Sequence, residues 1–468
     1  MIELSGERLA AAAGATAFAD GPPGGATRVV IDSREVRDGD LFVGLPGERM
    51  DGGEFAGAAL GSGAWGVLVG TPWANEIAAK RERGGGTGEG WVLGATDPLG
   101  ALQSLARAWR RELGAGVIGI TGSTGKTSVK DVCRAILPVR THASRENFNT
   151  EIGLPLAILA APPGTEALVL EMGMRGPGQI AELCEIAEPD VGVITNVGPV
   201  HVELLGSIEA IAEAKAELID GLTEEGTAVV PADPGVLGPH VSRARRRITF
   251  GEGGDVHARE ILAEAGETNA VVVSPAGERA FKLPFVEAHN LDNALAAIAA
   301  GLALGLSLEG MARRAPGIVF SRLRGELVQL PGNAILVNDS YNANPVSMRA
   351  ALDHLATLRT DGRRMAVLGD MLELGPGAAA HHREIGEHAR DVGVSHLIGV
   401  GELAGAYEPD VHVPNAEAAA AALRDTLGPG DAVLVKGSRA VGLERVAEIL
   451  SEAGPSAPPR DGESDANG

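Results

Sequence analysis

The sequence predicts an α/β protein of three successive domains, with a P-loop type of parallel sheet in the middle of the chain. Its 468 residues are too many for one ordinary core, so two to four domains are expected. From Gly116 onward, apolar strands alternate with helical patterns, which is typical of parallel sheets covered by helices. A Gly-rich turn links the strand that begins at Gly116 to a helix, as in P-loop sheets.

The domain boundaries follow from changes in this pattern. Residues 1–112 contain the segment DSREVRDGDLFVGLPGERMDG, followed by short strands and helices. Residues 113–314 open with GVIGITGSTGKTSVK and continue with the apolar strands ALVLEMG and VGVITNV. Residues 315–453 contain three more apolar strands, within AILVNDS, MAVLGD and AVLVKGS. The remaining residues, 454–468, are polar with Pro and Gly, and we expect them to form a disordered tail.

Charge and cysteine content exclude several classes of protein. The formal net charge of -22 argues against a nucleic acid as the main partner, although a local loop can still bind a small anion. Cys133 and Cys184 are the only cysteines, so neither a disulfide framework nor a zinc cluster can form, and a reducing compartment fits. The first residues do not resemble a signal peptide, and no apolar run reaches membrane-spanning length. We expect a cytoplasmic protein without membrane insertion, and we expect it to be a monomer.

Polar side chains follow most of the apolar strands. In open parallel sheets, ligands bind beyond the carboxyl ends of the strands. Loops are polar in any case, so one example carries little weight, but several together favour a binding site along this edge. The residues concerned are Thr121, Glu171, Asn196, Asp339, Asp370 and Lys436.

The strongest single motif is the Gly-rich turn. Its glycines let the main chain fold tightly, so that N–H groups and a helix N-terminus can face phosphate oxygens. Lys126 would reach the outer phosphates of a nucleotide, and the Thr127 hydroxyl would bind Mg2+. The spacing departs from the standard P-loop, because Ile120 stands where that pattern has glycine. The candidate nucleotide-binding residues are Gly122, Ser123, Thr124, Gly125, Lys126, Thr127 and Ser128.

Lys215 stands in the apolar stripe of the helix predicted over Ser207–Leu222, where the pattern calls for an apolar residue. One interpretation is a surface lysine whose amine reaches solvent past the apolar face. The other is a functional amine whose pKa is lowered by burial, and which can add CO2 to become an anionic carbamate. Glu171 and His201 could complete a Mg2+ site with it. A single histidine is more often structural, and hard cations prefer oxygen ligands.

Together these segments resemble the Mur ligase family of amide-bond ligases, from Asp32 to about Glu444. The loop TGSTGKTSVK is typical of the whole family, whereas NDSYNANPVSM and GDMLELG are far more specific. The other matching segments are DSR, DLFVGLPGERMDG, NFNTEIGLPL, LEMGMRGPGQI, TNVGPVHVELLGS, AKAELI, HNLDNALAA and VKGSR. The resemblance implies an N-terminal UDP-substrate-binding domain, a central ATP-binding domain and a Rossmann-like C-terminal domain.

The resemblance also implies roles for individual residues. The residues that match catalytic positions are Lys126, His201 and Lys215, the last as a carbamate. The residues that match Mg2+ ligands are Thr127, Glu171, His201 and Lys215. Beyond the loop, the residues that match nucleotide contacts are Asn290, Asn293, Arg324 and Asp339. The residues that match substrate contacts are Ser33, Arg34 and Asn342, and His382 and Lys436 lie in matching segments without a firm role.

The activity that the resemblance implies is ATP-dependent amide-bond formation in bacterial cell-wall precursor synthesis. A carboxylate does not react with an amine unaided, because its oxyanion is a poor leaving group. The carboxylate of UDP-N-acetylmuramoyl-tripeptide would attack the γ-phosphate of ATP and form an acyl phosphate. The amine of D-alanyl-D-alanine would then displace phosphate, and no covalent enzyme intermediate is needed.

Two other functions fit part of the pattern. One is a folylpolyglutamate-type synthetase, which the segment DSYNANP and the N-terminal domain disfavour. The other is a nucleotide-binding protein without activity, which the retained set of candidate catalytic and metal-binding residues disfavours. ATP turnover that depends on both peptide substrates would separate these three functions.

Overall fold

Residues 4–85, 88–145, 147–200, 202–264 and 266–452 are described by the computed structural model of the chain. These residues divide between two units. One contains the described residues up to Gly198 together with those of Ser207–Phe320, and the other contains the described part of Pro199–Gly206 together with that from Ser321 onward. The chain therefore enters the second unit after Gly198 and returns to the first at Ser207. The predicted tail, residues 454–468, lies outside the described residues.

The first sheet of the first unit is built from the N-terminal part of the chain. Its elements are α1 (Gly6–Ala13), β1 (Thr16–Ala19), β2 (Val29–Val30), β3 (Leu41–Val43), α2 (Ala56–Gly61), β4 (Gly66–Gly70), α3 (Thr71–Glu82), β5 (Trp91–Ala95) and α4 (Pro98–Leu113). The strands are ordered β1-β5-β4-β3-β2, and only β1 runs antiparallel to its neighbour. Local sequence sets the ends of α4: the Asp97 side chain caps its start, Pro98 occupies its first turn, and Gly114 ends it in the left-handed conformation.

The second sheet of the first unit is six-stranded and entirely parallel. The strands of this sheet and the helices between them are β6 (Gly116–Thr121), α5 (Lys126–Ile136), β7 (Thr141–Ala143), α6 (Gly153–Leu159), β8 (Ala167–Glu171), α7 (Gln179–Ala187), β9 (Val191–Ile194), α8 (Val202–Leu205), α9 (Ile208–Asp220), β10 (Thr227–Pro231), α10 (Gly238–Val241) and β11 (Arg246–Phe250). Of these, α8 belongs to the second unit. The strands are ordered β11-β10-β9-β6-β8-β7. Val117, Ile118 and Ile120 of β6 are fully buried, because helices cover both faces of the sheet.

An antiparallel sheet that sequence analysis did not predict follows the parallel one. It consists of β12 (His257–Glu264), β13 (Glu267–Ser274) and β14 (Gly277–Leu283), and it is followed by α11 (Ala288–Ala303) and α12 (Leu308–Arg314). Side chains of β13 alternate between the buried and the more exposed face, and Gly277 begins β14 with a positive φ of 107°. The many alanines of α11 let this buried helix pack closely on α5.

The second unit contains a mostly parallel sheet. Its elements are β15 (Glu326–Gln329), β16 (Ile335–Asn338), α13 (Pro345–Thr357), β17 (Arg364–Gly369), α14 (Ala378–Asp391), β18 (His396–Val400), β19 (Val411–Val413), α15 (Ala416–Thr426), β20 (Ala432–Lys436) and α16 (Glu444–Glu452). The strands are ordered β15-β16-β20-β17-β18-β19, and only β15 is antiparallel to its neighbour. The carboxyl ends of β16, β20 and β17 therefore lie side by side.

The predicted fold class is confirmed, since both the central sheet and the C-terminal sheet are parallel-rich and covered by helices. The boundaries at residues 112 and 314 stay a prediction; the first unit contains the sheets of both the first and the second predicted domain. Among the helices of the described ranges, none combines the length and apolar character needed to cross a bilayer.

Candidate functional site

The Gly-rich turn lies at the point where the central sheet reverses its winding. From β6 the chain first builds β7 and β8 on one side, and then β9, β10 and β11 on the other. The carboxyl ends of β6, β8 and β9 are therefore neighbours at one edge, which is where open parallel sheets bind ligands. The residues that follow these three strands form the candidate site.

Two glycines of the turn cannot be replaced without strain. Gly122 has a φ of 149° and Gly125 has a φ of 80°, a region that side chains rarely adopt. A Cβ atom at Gly122 would collide with the Thr195 hydroxyl, and one at Gly125 would collide with the side-chain oxygen of Asn293. The tight turn delivers the chain into α5, whose N-terminus carries a partial positive charge suited to phosphate.

Lys126 begins α5 and keeps its amine over the turn. Its Nζ atom donates a hydrogen bond of 2.7 Å to the carbonyl oxygen of Gly122, and the residue is half-buried. A cation held here faces the same edge as the helix N-terminus, so both act on one anion.

Glu171 ends β8 and meets Thr127 of α5, so the structure brings together these two residues that the sequence proposed as Mg2+ ligands. The Thr127 hydroxyl donates to Glu171 Oε2 at 2.8 Å, and the Asn149 side chain donates to Oε1 at 2.9 Å. Glu171 is only 4% exposed. A buried carboxylate beside a hydroxyl offers the oxygen ligands that Mg2+ prefers.

Lys215 lies in the middle of α9, and the interpretation as a surface lysine is wrong. The residue is 2% exposed, and within the described residues no carboxylate pairs with its amine. Burial lowers the pKa of Lys215 well below its ordinary value, and the nearby charge of Lys126 lowers it further. Both effects favour the neutral form of the amine. The amine does not reach solvent past the apolar face, because the neighbouring Ala212, Ala214 and Ala216 are buried as well. This part of α9 is covered by the core.

Asn293 of α11 reaches the same turn, and Asn290 lies next to it on the helix. The side-chain oxygen of Asn293 lies so close to Gly125 that a Cβ atom at this glycine would collide with it. Its amide donates to Asn290 Oδ1 at 3.3 Å, and the Asn290 amide donates to Glu287 at 3.4 Å. The structure thus brings Asn293 beside the loop and Asn290 beside Asn293.

A second cluster lies in the second unit, after β16 and β20. The Lys436 amine donates to Asp339 Oδ2 at 2.6 Å and to the carbonyl oxygen of Asn342 at 2.9 Å. The Arg324 guanidinium lies 4.0 Å from the centre of the Tyr341 ring, a cation–π distance. The predicted residues Arg324, Asp339 and Asn342 therefore share one region of this unit.

His382 has a structural position in the same unit. It is fully buried, accepts the Met371 N–H at Nε2 at 2.9 Å and bonds the Ala378 carbonyl oxygen through Nδ1 at 2.7 Å. Burial lowers the pKa of His382, which favours the neutral ring that accepts the Met371 N–H within the segment GDMLELG.

Ser33 and Arg34 follow β2 in a short 3-10 helix that Asp32 caps. Arg34 is 87% exposed in its side chain and pairs with Asp32 at 2.5 Å. That pairing lowers the pKa of Asp32 to about 2. The predicted uridine-side residues are thus held on the surface of the first sheet rather than at the turn.

Comparison with known proteins identifies the family. Residues 120–301 match the Mur ligase middle domain, and residues 323–439 match the Mur ligase glutamate ligase domain. A Bacillus subtilis protein named UDP-N-acetylmuramoyl-tripeptide–D-alanyl-D-alanine ligase is 37% identical over 437 residues, which cover 91% of this chain and 93% of that protein. The chain belongs to the Mur ligase family.

Solved Mur ligase structures share the fold over nearly the whole chain. MurF from Acinetobacter baumannii has a TM-score of 0.84 and 29% identity, and the match covers 96% of this chain and 99% of that one. The MurF ligase of Thermotoga maritima, solved in complex with ADP, has a TM-score of 0.79 and 32% identity, and the match covers 91% of this chain and 97% of that one. The resemblance stated from the sequence, including its extent along the chain, is therefore confirmed.

The structure of this Mur ligase also places residues that sequence reasoning missed or could not test. His201, a predicted metal ligand, lies outside the described residues. Asn149 was quoted only as part of a matching segment, yet it bonds Glu171 directly. Asn196 was recognised only as a polar residue at a strand end, yet it bonds the loop. Its position as a polar residue after a buried strand singled out Asn196 in the sequence. That position did not show that the residue bonds Thr124.

Proposed function

We propose that this Mur ligase joins D-alanyl-D-alanine to UDP-N-acetylmuramoyl-tripeptide at the expense of ATP, and releases ADP and phosphate. One observation carries the proposal: a relative named for this reaction is 37% identical and matches 91% of the chain. The product is the pentapeptide precursor of peptidoglycan. The candidate site supports the proposal, because it combines a phosphate-type loop with a buried carboxylate and a buried amine.

The loop would hold the phosphates of ATP while the tripeptide carboxylate attacks the γ-phosphate. Lys126 and the N-terminus of α5 stabilise the negative charge that grows there. The loop also contains Gly122, Ser123, Thr124, Gly125, Thr127 and Ser128. Next to the loop, the nucleotide would be contacted by Asn290 and Asn293. The acyl phosphate then accepts the amine of D-alanyl-D-alanine, phosphate leaves, and an amide remains.

The residues present fit a magnesium ion. Thr127 and Glu171 offer a hydroxyl and a carboxylate oxygen 2.8 Å apart, and both residues are buried. Within the described residues, no three His, Cys, Asp or Glu side chains converge. Mg2+ is commonly held by one or two carboxylates together with substrate phosphates, so this set suffices. When bound, Mg2+ would neutralise phosphate charge. We assign carbamylated Lys215 to the same site, whereas His201, the other predicted ligand, lies outside the described residues.

Asn149 orients the carboxylate of Glu171, so its loss should weaken Mg2+ binding. We expect Asn149→Ala to raise the Mg2+ concentration for half-maximal turnover about tenfold or more, by analogy with other residues that bond a metal ligand. The measurement is a Mg2+ titration of phosphate release at saturating ATP. Asn75→Ala, at an exposed asparagine of α3, is the matched control. An unchanged Mg2+ requirement in Asn149→Ala would show that Asn149 does not act through Glu171.

Lys215 would act as a carbamate. The neutral form of its amine would add CO2 and lose one proton, so that a neutral group becomes an anionic oxygen ligand. The burial of the amine without a carboxylate partner among the described residues supports this assignment, because an unpaired buried ammonium is costly.

Outside the loop, we assign nucleotide contacts to Arg324 and Asp339 and substrate contacts to Ser33, Arg34 and Asn342. Lys436 bonds both Asp339 and Asn342, so it would hold these two residues in position for their contacts. Arg34 is exposed and paired only with a neighbouring carboxylate, which leaves it able to meet a diphosphate.

The acceptor separates this function from the alternatives. We expect phosphate release to require both UDP-N-acetylmuramoyl-tripeptide and D-alanyl-D-alanine, because the acyl phosphate forms on the first and is consumed by the second. A coupled assay with each substrate omitted in turn measures this. Equal turnover with a single amino acid as acceptor, or with a folate substrate, would favour another ligase of the fold. ADP binding without any turnover would favour the non-catalytic alternative.

A further inference from the structure

Asn196 bonds the phosphate loop through both its main chain and its side chain. Its carbonyl oxygen accepts the Ser123 N–H at 3.0 Å. Its Oδ1 atom accepts the Thr124 N–H at 2.9 Å, and its Nδ2 atom donates to the Thr124 hydroxyl at 2.6 Å. One residue therefore holds two successive residues in the first half of the turn.

The neighbours of Asn196 extend this contact along the loop. The Thr195 hydroxyl donates to the Thr124 carbonyl oxygen and occupies the space that a side chain at Gly122 would need. The Ser123 hydroxyl exchanges hydrogen bonds of 3.0 and 2.8 Å with the main chain of Gly198. The segment after β9 is thus hydrogen-bonded to the turn after β6 at several successive residues.

We propose that Asn196 is a positioning residue that sets the shape of the phosphate loop, and so controls ATP affinity. The inference rests on the proposed function, because it requires that the loop binds the phosphates of ATP. Thr124 precedes Gly125, where the chain turns into α5. A fixed Thr124 peptide therefore determines where Lys126 and the helix N-terminus meet the phosphates.

The chemistry of the amide explains why this position has asparagine. Thr124 offers one N–H donor and one hydroxyl acceptor, and an amide supplies the matching acceptor and donor. An alkyl side chain would supply neither. Aspartate could keep both bonds, because the Thr124 hydroxyl can rotate to donate, but it would add a negative charge beside the anion site.

The two substitutions therefore test different properties. Asn196→Ala removes the side-chain bonds, and Asn196→Asp preserves them while changing the charge. We expect both to weaken ADP binding and to raise the KM for ATP about tenfold or more, because small misplacements of binding groups have large effects. The KM values for the tripeptide and dipeptide substrates should change little, and kcat should fall less than the affinity for ATP.

Isothermal titration with ADP and steady-state kinetics with each substrate varied provide these numbers. Asn75→Asp, which places the same charge on the exposed side of α3, is the matched control and should bind ADP like the wild type. Thermal unfolding reports whether each variant is folded. If Asn196→Ala is unstable, Thr124→Ala provides the test, since it removes the hydroxyl that the Asn196 amide binds; ADP affinity equal to the wild type in a folded Thr124→Ala would then contradict the role.

The outcomes separate the inference from the proposed function. A wild-type protein that does not bind ADP would overturn the proposed function. A wild type that binds ADP, with a folded Asn196→Ala variant of equal affinity, would overturn the role of Asn196 alone. Thr124→Ala adds a further check, because its effect on ADP binding should not add to that of Asn196→Ala if the two side chains act together.

Discussion

Replacing Lys126 with alanine is expected to lower ligation about a hundredfold or more, in line with the loss of one preorganised charge-stabilising group. The Lys126 amine lies over the turn, bonded to the Gly122 carbonyl oxygen, at the edge where the phosphates would lie. Its removal takes away charge stabilisation in the transition state rather than core packing. Alanine is also the best helix former, so α5 should still begin at this position.

Phosphate release in the presence of both peptide substrates measures the effect of Lys126→Ala. Circular dichroism and thermal unfolding should match the wild type. Lys282→Ala is the matched control, because Lys282 is exposed on β14 and pairs with Glu267 far from the turn in sequence. Near-normal turnover in Lys126→Ala would show that the loop is not the catalytic phosphate site.

Lys215→Ala is expected to lose most activity for a different reason. The substitution removes the only side chain of α9 that can become a carbamate, and with it an anionic ligand of the proposed Mg2+ site. Lys215→Arg should not restore activity, since a guanidinium stays cationic and cannot add CO2. Formate or acetate is expected to restore part of the activity of Lys215→Ala by supplying a carboxylate in the vacated space.

Lys215→Met separates folding from chemistry. Methionine fills a similar volume without a polar group, so it removes the cost of burying an amine that is 2% exposed. We expect this variant to unfold at the same or a higher temperature than the wild type in buffer without CO2 and Mg2+, and to be inactive. An inactive, stable Lys215→Met would exclude misfolding as the cause of the loss.

Carbon-13 NMR tests the carbamate directly. Active enzyme in labelled bicarbonate with Mg2+ should give a carbamate signal that is missing from Lys215→Ala. Absence of the signal from the wild type, together with full activity of Lys215→Arg, would contradict the carbamate. Lys215 would then be a buried lysine with a packing role only.

The loop and its partners show how far local sequence reaches. A strand, a Gly-rich turn and a helix are consecutive in the chain, so their geometry was predictable from residues 116–130. Lys215 could be singled out because it breaks the apolar stripe of a helix, but helical periodicity alone left two orientations open. Burial decided between them, and burial depends on what the rest of the chain places over that helix face.

Contacts between segments that are distant in the chain could not be predicted from the sequence. Asn149 and Glu171 are 22 residues apart, and Asn196 and Thr124 are 72 apart. The first bond depends on the pairing of β7 with β8, and the second on the pairing of β6 with β9. Strand order cannot be read from strand count. The sheet β12-β13-β14 was missed for a different reason. Many side chains of β12 and β14 are exposed, so these strands lack the continuous apolar runs that marked the parallel strands.

The sequence by itself determined the fold class, the phosphate-type loop, the family and the identity of the candidate catalytic side chains. These properties reside in consecutive residues, where glycine conformation, helix capping and apolar periodicity act over short distances. Only the tertiary structure decided that Lys215 is buried, that Asn149 bonds Glu171 and that Asn196 bonds the loop. Each of these depends on strand order and on the burial that packing creates, because a hydrogen bond or a shifted pKa requires groups that the chain brings together only on folding.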